Sequence, residues 1–446
     1  MIQKFSISND PAMYEAWPDV VLTGSGKLVC VFSECTHHGN RDYTRIMLSD
    51  SGDRGRHWSP KRPLTEGTRG LPYYYNCARI SRLRDGRLVV VVDRIPADGR
   101  AARAENVLYF SADDGESWSG PVGTPLCGIV PDKLLELENG RRIISAHHHV
   151  NGKLAQFLRY SDDGGESWSA EEAVTLPRTI WDHPDPAVPP NCIVWQKPLR
   201  FGDGRYLAGV TRWVSPSRYP GPAEDGWYND DSVVDFLRFE NLDADPDCGD
   251  LEITLLTPDE QSLRFPIAGH PERSLVQEPS IVELPDGRLF AVMRSGSGHP
   301  VCAQSRDGGE HWSRPEILTY GDGLPPLAHP LSPCPCYRLN ETEYLLFFHN
   351  HGADFGPWRN HDGRGRRPIY LSLGRFAPGD GQPLRFSAPI SLMDSDNVEL
   401  NRRSDLALYS SFEEVDGRPV LFYPDRKHFL VGRIIGPELL DRAVFP

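Results

Sequence analysis

One short phrase occurs four times in the 446-residue chain, and this repetition restricts the fold more than any other feature. The phrase is S-x-D-x-G-x-(S/H)-W, and its copies fall within 51–59, 111–119, 161–169 and 305–313. Its Ser and Asp side chains can bond backbone amides across a tight turn, and its Gly accepts a positive φ angle. Its Trp side chain can pack against neighbouring residues. We therefore expect each copy to be a structural turn and not a catalytic motif.

A second repeat is a pair of apolar strands joined by a tight turn, with Asp-Gly or Asn-Gly in the clear copies. Such dipeptides between apolar runs are typical of β-hairpins. Clear copies occupy 83–92, 137–145, 201–210 and 284–293, and weaker copies occupy 23–32, 339–348 and 415–423. Each hairpin is followed by a further strand, so the chain is predicted to form seven small sheets.

Small sheets repeated in this way predict an all-β protein with a β-propeller fold. A solenoid would show a stricter period, and a βαβ fold would show helical stripes between the strands. The last unit, which ends in HFLVGRII, is one strand short, and the N-terminal KFSIS can supply that strand and close the ring. We expect a single domain over 1–446, with an insertion around 214–260.

The composition restricts partners and location. The formal net charge of -14 disfavours nucleic acid and anionic membranes as partners. The N-terminus has no apolar signal region, and no apolar run is long enough to span a bilayer, so we expect a cytoplasmic protein. Nine Cys, scattered apart from PCPC at 333–336, fit buried reduced thiols. We expect no cofactor and no metal.

Propeller geometry separates a structural end of each sheet from a functional end. The Asp-Gly turns and the repeated phrases share one end, while the starts of first strands and the ends of second strands share the other. The polar residues that this reasoning places at the functional end include Asp19, Arg79, Glu278, Tyr409, His37, His38, Asp42 and Arg294.

The repeated phrase is the Asp-box of sialidases and related propellers, and the chain resembles that superfamily over nearly its whole length. Sialidases have six blades, which is the alternative to the seven units counted here. Tyr409 in LYSSFEEVDGRPVLFY resembles the family's nucleophilic tyrosine, and Glu278 in QEPSIVELPDGRLFAVMRS resembles the glutamate that assists it. Asp42 in ECTHHGNRDYT matches the general acid. The resemblance thus implies a Tyr/Glu nucleophile pair and an acid in one central pocket.

The resemblance also implies arginines that bind a substrate carboxylate. Arg294 and Arg367 match two members of the family's arginine triad, and Arg366 is a near-equal candidate for the second. Arginines hold a carboxylate with two parallel hydrogen bonds. A neutral phenol is not repelled by a carboxylate on the anomeric carbon, whereas an anionic nucleophile would be.

The first unit departs from the sialidase pattern. The family opens it with an arginine, but here Ala16 or Trp17 stands at that place and Asp19 lies nearby. His37 and His38 flank the proposed acid. We therefore expect an exo-acting glycoside hydrolase for an acidic or otherwise non-standard terminal sugar, with Arg79, Asp19, His37 and His38 among its substrate-binding residues.

The sequence also allows other interpretations of the function. A polysaccharide lyase acting on a uronate-containing glycan would use histidine, tyrosine and arginine as base and neutralising groups. A propeller that binds carbohydrate without catalysis is a third class, because a fold does not fix a function. A metal site built from His37, His38 and the histidines at 147–149 is a further alternative. A carbohydrate is the expected partner in each case, for a monomer or a homo-oligomer.

Overall fold

The computed structural model describes residues 4–36, 44–67, 69–97, 104–127, 132–137, 142–144, 153–160, 168–170, 174–218, 231–246, 248–351, 366–393, 410–425 and 429–446. The chain divides into two compact units. Unit 1 comprises Met1–Thr175, Asp243–Leu251 and Tyr409–Gly436, and unit 2 comprises Leu176–Leu242, Glu252–Leu408 and Pro437–Pro446. The prediction of a single domain over 1–446 stays a prediction.

The described residues of unit 1 form four antiparallel sheets. The first strand of the chain, β1 (Lys4–Asn9), belongs to the last of them. Sheet 1 contains β2 (Tyr14–Leu22), β3 (Leu28–Cys35), β4 (Arg45–Ser51) and β5 (Arg62–Pro63). Sheet 2 contains β6 (Tyr73–Arg82), β7 (Leu88–Pro96), β8 (Glu105–Ser111) and β9 (Ser119–Cys127). Sheet 3 contains β10 (Leu135–Glu136), β11 (Arg142–Ile144), β12 (Lys153–Tyr160), β13 (Trp168–Ala170) and β14 (Val174–Thr175).

The part of unit 2 that the structure describes forms three larger sheets and one two-stranded hairpin. Sheet 4 contains β15 (Cys192–Val194), β16 (Leu199–Arg200), β17 (Tyr206–Trp213), β18 (Ser232–Phe239) and β19 (Ile253–Leu255). The hairpin contains β20 (Pro266–Ile267) and β21 (His270–Ser274). Sheet 5 contains β22 (Val276–Glu283), β23 (Leu289–Ser295), β24 (Val301–Ser305) and β25 (Glu316–Ile317). Sheet 6 contains β26 (Cys336–Arg338), β27 (Glu343–Phe348), β28 (Ile369–Phe376), β29 (Leu384–Phe386) and β30 (Ile390–Met393).

Sheet 7, in unit 1, closes the series with strands from both ends of the chain. It contains β31 (Ser411–Val415), β32 (Arg418–Asp425) and β33 (Phe429–Ile434), and β1 is its fourth strand. β1 pairs antiparallel with β33, with Phe5 opposite Gly432. The predicted closure by the N-terminal strand is therefore confirmed.

Helices are few and short in the described part of the chain. The single α-helix there is α1 (Pro437–Leu440), and the 3-10 helices are Pro216–Arg218, Leu242–Ala244, Cys248–Asp250 and Asp259–Gln261. None of the described helices has the length and apolar character needed to cross a membrane. The stretch 214–260, predicted to be an insertion, includes β18 and β19 of sheet 4.

Each of the seven predicted hairpins joins the first strands of one sheet. At the turn of 284–293, the Leu284 amide donates to the Arg288 carbonyl oxygen at 2.8 Å, and the Gly287 amide donates to the Leu284 carbonyl oxygen at 2.9 Å. Gly287 has a φ of 81°, a conformation that the turn requires and that glycine adopts readily. The Asp-Gly signal therefore identified these turns for a local steric reason.

The repeated phrases are turns that leave the third strand of a sheet. After β8, the Gly115 amide donates to Ser111 Oγ at 2.8 Å and the Ser117 amide donates to Asp113 Oδ1 at 2.9 Å. Trp118 Nε1 donates to the Gly115 carbonyl oxygen at 3.1 Å. The same hydrogen bond from the Gly amide to the Ser hydroxyl oxygen recurs in the copies after β4 and β24, at 2.8 Å and 2.9 Å. Most of the copy at 161–169 lies outside the described residues.

Within each unit, apolar side chains pack between neighbouring sheets. Val31 and Ile46 of sheet 1 pack with Val90 of sheet 2, and Phe236 of sheet 4 packs with Met293 of sheet 5. Burying a side chain of this size contributes about 1.5–3 kcal/mol relative to leaving it exposed. This packing holds the ends of the strands, where the candidate site lies, in fixed positions within each unit.

Candidate active site

The first strands of sheets 1, 2 and 5 contain the same β-bulge. In each, two residues of the first strand face one residue of the second, and the first of the two has a left-handed backbone. The left-handed residues are Trp17, Cys77 and Glu278, with φ of 53°, 48° and 52°. The register shifts lie between Ala16 and Asp19, between Asn76 and Arg79, and between Gln277 and Ser280.

These backbones are strained, and hydroxyl groups of the preceding sheet help to hold two of them, at Cys77 and Glu278. A left-handed residue other than Gly, Asn or Asp costs of order 1–3 kcal/mol. The Cys77 amide donates to Ser33 Oγ at 3.1 Å, and the Glu278 amide donates to Thr211 Oγ1 at 2.8 Å. Bulges redirect side chains next to active sites, so recurrent strain at one point of a repeat indicates functional positions.

Glu278 lies against Arg294 at the end of sheet 5. Arg294 Nη1 is 3.1 Å from Glu278 Oε2, and both side chains are less than a tenth exposed. Gln277 Oε1 accepts from Arg294 Nε at 3.0 Å and from Nη2 at 2.6 Å. A guanidinium held at three nitrogens has a fixed orientation, so the site has a preorganised carboxylate and cation. Two residues predicted for one site are thus in contact.

The segment that follows His329 lies close to Glu278 and Arg294, whose charges both act on the Cys334 thiol. Burial raises the pKa of the Cys334 thiol above its usual range, and the Glu278 carboxylate acts in the same direction. Burial also raises the pKa of Cys336 to about 12. Both thiols therefore stay protonated at neutral pH in the folded chain. Ser280 Oγ accepts from the Cys336 amide at 3.0 Å and joins this segment to the bulge.

Histidines at the end of β27 hold the backbone on either side of the Arg367–Pro368 peptide. His349 Nδ1 donates to the Pro368 carbonyl oxygen at 2.9 Å, and His351 Nε2 donates to the Arg367 carbonyl oxygen at 3.0 Å. Because a carbonyl can only accept, each of these two ring nitrogens carries a hydrogen. The bond from His351 anchors the backbone of Arg367, a predicted binding residue. The Arg367 residue itself is half-buried.

A third histidine completes a hydrogen-bonded stack. The His329 and His349 rings lie 5.3 Å apart and nearly parallel. His329 Nε2 donates to the Ser332 carbonyl oxygen at 2.9 Å, and His329 Nδ1 accepts from the His349 amide at 3.1 Å. Ser332 Oγ lies 3.1 Å from His349 Nε2. Both rings are fully buried, and their nitrogens are directed at protein partners instead of a common metal position.

This stack predicts a specific loss of stability in acid. Burial lowers the pKa of His329 to about 3, whereas the unfolded chain has an ordinary histidine pKa near 6.5. Above pH 6.5 the His329 imidazole is mostly neutral in both the folded and the unfolded chain. As the pH falls below that value, the unfolded state takes up a proton and the folded state does not. At pH 5 this lowers the free energy of unfolding by about 2 kcal/mol.

Urea denaturation of wild type and His329→Asn at pH 7 and pH 5 measures this loss of unfolding free energy. The wild type is expected to lose about 2 kcal/mol more than the variant between these two values. The comparison is needed because Glu15, whose pKa burial raises to about 7, acts in the opposite direction in both proteins. Equal pH dependence of the two proteins would contradict the assignment of a buried neutral His329.

Asp19 and Arg79, also predicted to bind substrate, follow the bulges of sheets 1 and 2. Asp19 is buried, and its Oδ2 accepts from the Ile80 amide at 2.8 Å. Lys133 Nζ lies 3.4 Å from Asp19 Oδ1 and donates to the Val20 carbonyl oxygen at 2.7 Å. Asp19 thus joins sheets 1 and 2. Arg79 is half-buried, and its Nε has no hydrogen-bond partner among the described residues.

Acidic side chains at the same end of sheet 1 have the spacing of a metal site, but a lysine occupies their centre. Asp10, Glu15 and Glu34 have carboxylate oxygens within 4.8 Å of one another. Lys61 Nζ lies 2.7 Å from Asp10 and 2.7 Å from Glu15, and it contacts Glu34. The ammonium supplies the positive charge that a cation would bring, so these residues do not fit a metal ion.

Four predicted site residues lie outside the described residues. They are Tyr409, Asp42, His37 and His38, and their roles stay predictions. The histidines at 147–149, part of the alternative metal site, also lie outside. Sequence reasoning missed Gln277 and Lys133. Gln277 precedes the candidate glutamate and pairs with Arg294 across the hairpin, so the hairpin register was the signal that would have found it.

Comparisons with known proteins support the repeat and the fold. Residues 26–197 match a family model described as a BNR repeat-like domain. A crystal structure of a protein of unknown function from Dyadobacter fermentans is similar, with a TM-score of 0.51, 16% identity and 97% of each chain covered. The intramolecular trans-sialidase from Ruminococcus gnavus gives a TM-score of 0.50 and 14% identity, covering 99% of this chain and 98% of that chain.

At these identities the solved structures establish the fold and leave the activity open. They agree with the predicted all-β propeller and with its six-bladed alternative, from which the seven sheets counted in the described residues differ by one. The Asp-box turns, the matched repeat domain and the similar structures together confirm the predicted resemblance. The chain has a β-propeller fold, and its residues 26–197 match the BNR repeat-like domain.

Proposed function

We propose that the chain is an exo-acting glycoside hydrolase that removes an acidic or otherwise non-standard terminal sugar. The observation that carries the proposal is the contact of Glu278 with Arg294 on a strained bulge, with Gln277 orienting the guanidinium. A carboxylate and an arginine held in this way offer a base and a group that recognises a substrate carboxylate or hydroxyl.

The nucleophile is assigned from the resemblance and from sequence spacing. Tyr409 precedes Ser411 by two residues, as Glu278 precedes Ser280 by two. The two serines have similar bonds, since Ser280 Oγ accepts from the Cys336 amide at 3.0 Å and Ser411 Oγ accepts from the Val20 amide at 3.3 Å. This spacing supports assigning Tyr409 to the corresponding position of the last repeat.

Under this proposal the reaction has two steps. In the first, the phenol of Tyr409 gives its proton to Glu278 and bonds to the anomeric carbon, while the glycosidic bond breaks. The leaving oxygen takes a proton from Asp42. In the second, water attacks the anomeric carbon, gives a proton to Asp42, and the phenol recovers its proton from Glu278. The sum is the addition of one water across one glycosidic bond.

A substrate screen tests the proposal. The full chain is incubated with chromogenic glycosides of neutral hexoses, arabinose, uronic acids and sialic acid, and products are identified by mass. We expect cleavage of at least one class, with release of an intact terminal sugar. Arg294→Lys is expected to raise KM about tenfold or more for acidic substrates and less for neutral ones, because lysine lacks the two-pronged contact.

Other outcomes of the screen identify the competing classes. A product that is lighter by one water than the hydrolysis product indicates a lyase and contradicts the proposal. Binding of a glycan without any turnover indicates a carbohydrate-binding propeller and also contradicts it. An equal effect of Arg294→Lys on acidic and neutral substrates would remove the argument for an acidic sugar.

A further inference from the structure

One residue on the first strand of sheets 1, 5 and 7 links its sheet to a neighbouring sheet. Its side-chain oxygen accepts the hydrogen of a backbone amide on the first strand of that neighbour. The three bonds run from the amides of Ile80, Cys336 and Val20 to Asp19 Oδ2 at 2.8 Å, to Ser280 Oγ at 3.0 Å and to Ser411 Oγ at 3.3 Å, respectively. In these three sheets the linking position therefore holds a hydrogen-bond acceptor.

Sheet 2 has an arginine at the linking position. Arg79 follows the left-handed Cys77 by two residues, which is the spacing of Asp19 and Ser280 from the left-handed residues of their own sheets. A guanidinium has only donors, so Arg79 cannot accept an amide hydrogen as Asp19 does. Sheet 2 therefore places hydrogen-bond donors and a positive charge where three other sheets place an acceptor.

The Arg79 side chain has no partner in the part of the chain that the structure describes. β6 is buried from Tyr75 to Ser81 except at Arg79, which is partly exposed. The Arg79 Nε is enclosed and makes no hydrogen bond, and no described carboxylate forms an ion pair with the guanidinium. An enclosed donor without an acceptor is unfavourable, because the group has given up its hydrogen bonds to water. Such a group in a native fold requires an explanation, and binding of a ligand supplies one.

A second cation of unit 1, Lys133, provides the contrast. Lys133 Nζ donates to the Val20 carbonyl oxygen at 2.7 Å, lies 3.4 Å from Asp19 Oδ1 and contacts the Glu413 carboxylate. An ammonium has three donors, so these three acceptors satisfy it, and the two carboxylates balance its charge. Lys133 therefore has a structural role, whereas no described residue balances the charge of Arg79.

We propose that Arg79 is a specificity-determining residue that binds the carboxylate of an acidic sugar. This inference rests on the proposed function, since it assumes a carbohydrate ligand, and it deepens that function by assigning recognition of the acidic group to sheet 2. Because Nε is enclosed, the carboxylate approaches the two Nη atoms and accepts two parallel hydrogen bonds from them. An uncharged sugar of the same shape does not gain this charge-assisted contact.

Binding of paired sugars to the full chain measures this role without turnover. The probes are methyl C-glycosides of glucuronic, galacturonic and sialic acid, which cannot be hydrolysed, and each is paired with its uncharged carboxamide. In titration calorimetry we expect wild type to bind at least one acid about tenfold or more tightly than its amide. Arg79→Gln is expected to weaken binding of that acid about tenfold or more and to change binding of the amide less than about twofold.

The controls make the result specific to the position and the charge. Arg82→Gln removes an exposed arginine from the same strand and is expected to change binding of both probes less than about twofold. Arg79→Lys keeps the charge but loses the two-pronged contact, so its preference for the acid is expected to lie between those of wild type and Arg79→Gln. Raising NaCl from about 50 to about 500 mM is expected to weaken binding of the acid to wild type and not that of the amide.

The outcomes separate this inference from the hydrolase proposal. A preference for the acid that depends on Arg79 supports the inference even where no glycoside is cleaved, which would refute the hydrolase alone. An unchanged preference in Arg79→Gln, an equal loss of acid and amide binding, or no binding of any acid to wild type overturns the inference. Where Arg79→Gln does not fold, a preference that is unchanged in Arg79→Lys or insensitive to salt overturns it.

Discussion

Glu278→Gln is expected to lower kcat by about 100- to 10,000-fold on the best glycoside of the screen, with KM changed less than tenfold. Glutamine has nearly the same shape as glutamate but cannot accept the proton of a nucleophile. The side chain lies 3.1 Å from Arg294 in a nearly closed environment, so water cannot easily replace it as the base. Initial rates over a range of substrate concentrations separate the two constants.

The matched control is Glu283→Gln, which removes a carboxylate from the other end of the same strand. Glu283 is half-buried near the hairpin turn of sheet 5, at the structural end. Its replacement is expected to change kcat less than twofold and to leave the fold intact. Comparable activity of Glu278→Gln and wild type, with both folded by circular dichroism, would show that Glu278 has no catalytic role.

Arg212→Met is expected to lower the free energy of unfolding by about 3–5 kcal/mol, because it leaves two buried carboxylates without their cation. Arg212 is fully buried in β17. Its Nη1 lies 2.7 Å from Asp182 and its Nε lies 2.6 Å from Asp235, while Nη2 donates to the Pro177 carbonyl oxygen at 2.9 Å. These contacts attach the segment before β15 to sheet 4. Urea denaturation measures the loss.

Two further variants show whether charge is the cause. Arg205→Met removes an arginine that pairs with Asp203 in the partly exposed turn before β17, and it is expected to change stability by less than about 0.5 kcal/mol. Adding Asp182→Asn and Asp235→Asn to Arg212→Met removes the unpaired charges and is expected to recover at least about half of the loss. No recovery in the triple variant would mean that lost packing, not charge, explains the effect.

The fold was largely predictable because its signals are local. An Asp-Gly turn forms from its own residues, as the bonds around Gly287 show, and each repeated phrase closes on itself through Ser, Asp and Trp. The closure by β1 followed from counting strands. The contact of Glu278 with Arg294 was also accessible, because they lie on the two strands of one predicted hairpin.

The bulges were not predictable from local signals. The three left-handed positions hold Trp17, Cys77 and Glu278, and none of them is a glycine or an asparagine. At Cys77 and Glu278 the backbone is held by hydroxyl groups of another sheet, those of Ser33 and Thr211. Asp19 shows the same limit. The sequence does not show whether an acid at a strand start is exposed or buried. The Asp19 carboxylate accepts a hydrogen bond from the Ile80 amide, and this partner lies on a strand about 60 residues away.

Isotope labelling of the product tests the central claim most directly. The wild-type chain is incubated in ¹⁸O-water with the glycoside that it cleaves fastest, and the released sugar is analysed by mass. A hydrolase places one ¹⁸O atom on the anomeric carbon of the released sugar, which is the predicted result. A released sugar without the label, an unsaturated product, or no release from any glycoside of the screen would contradict the proposal that this propeller hydrolyses glycosidic bonds.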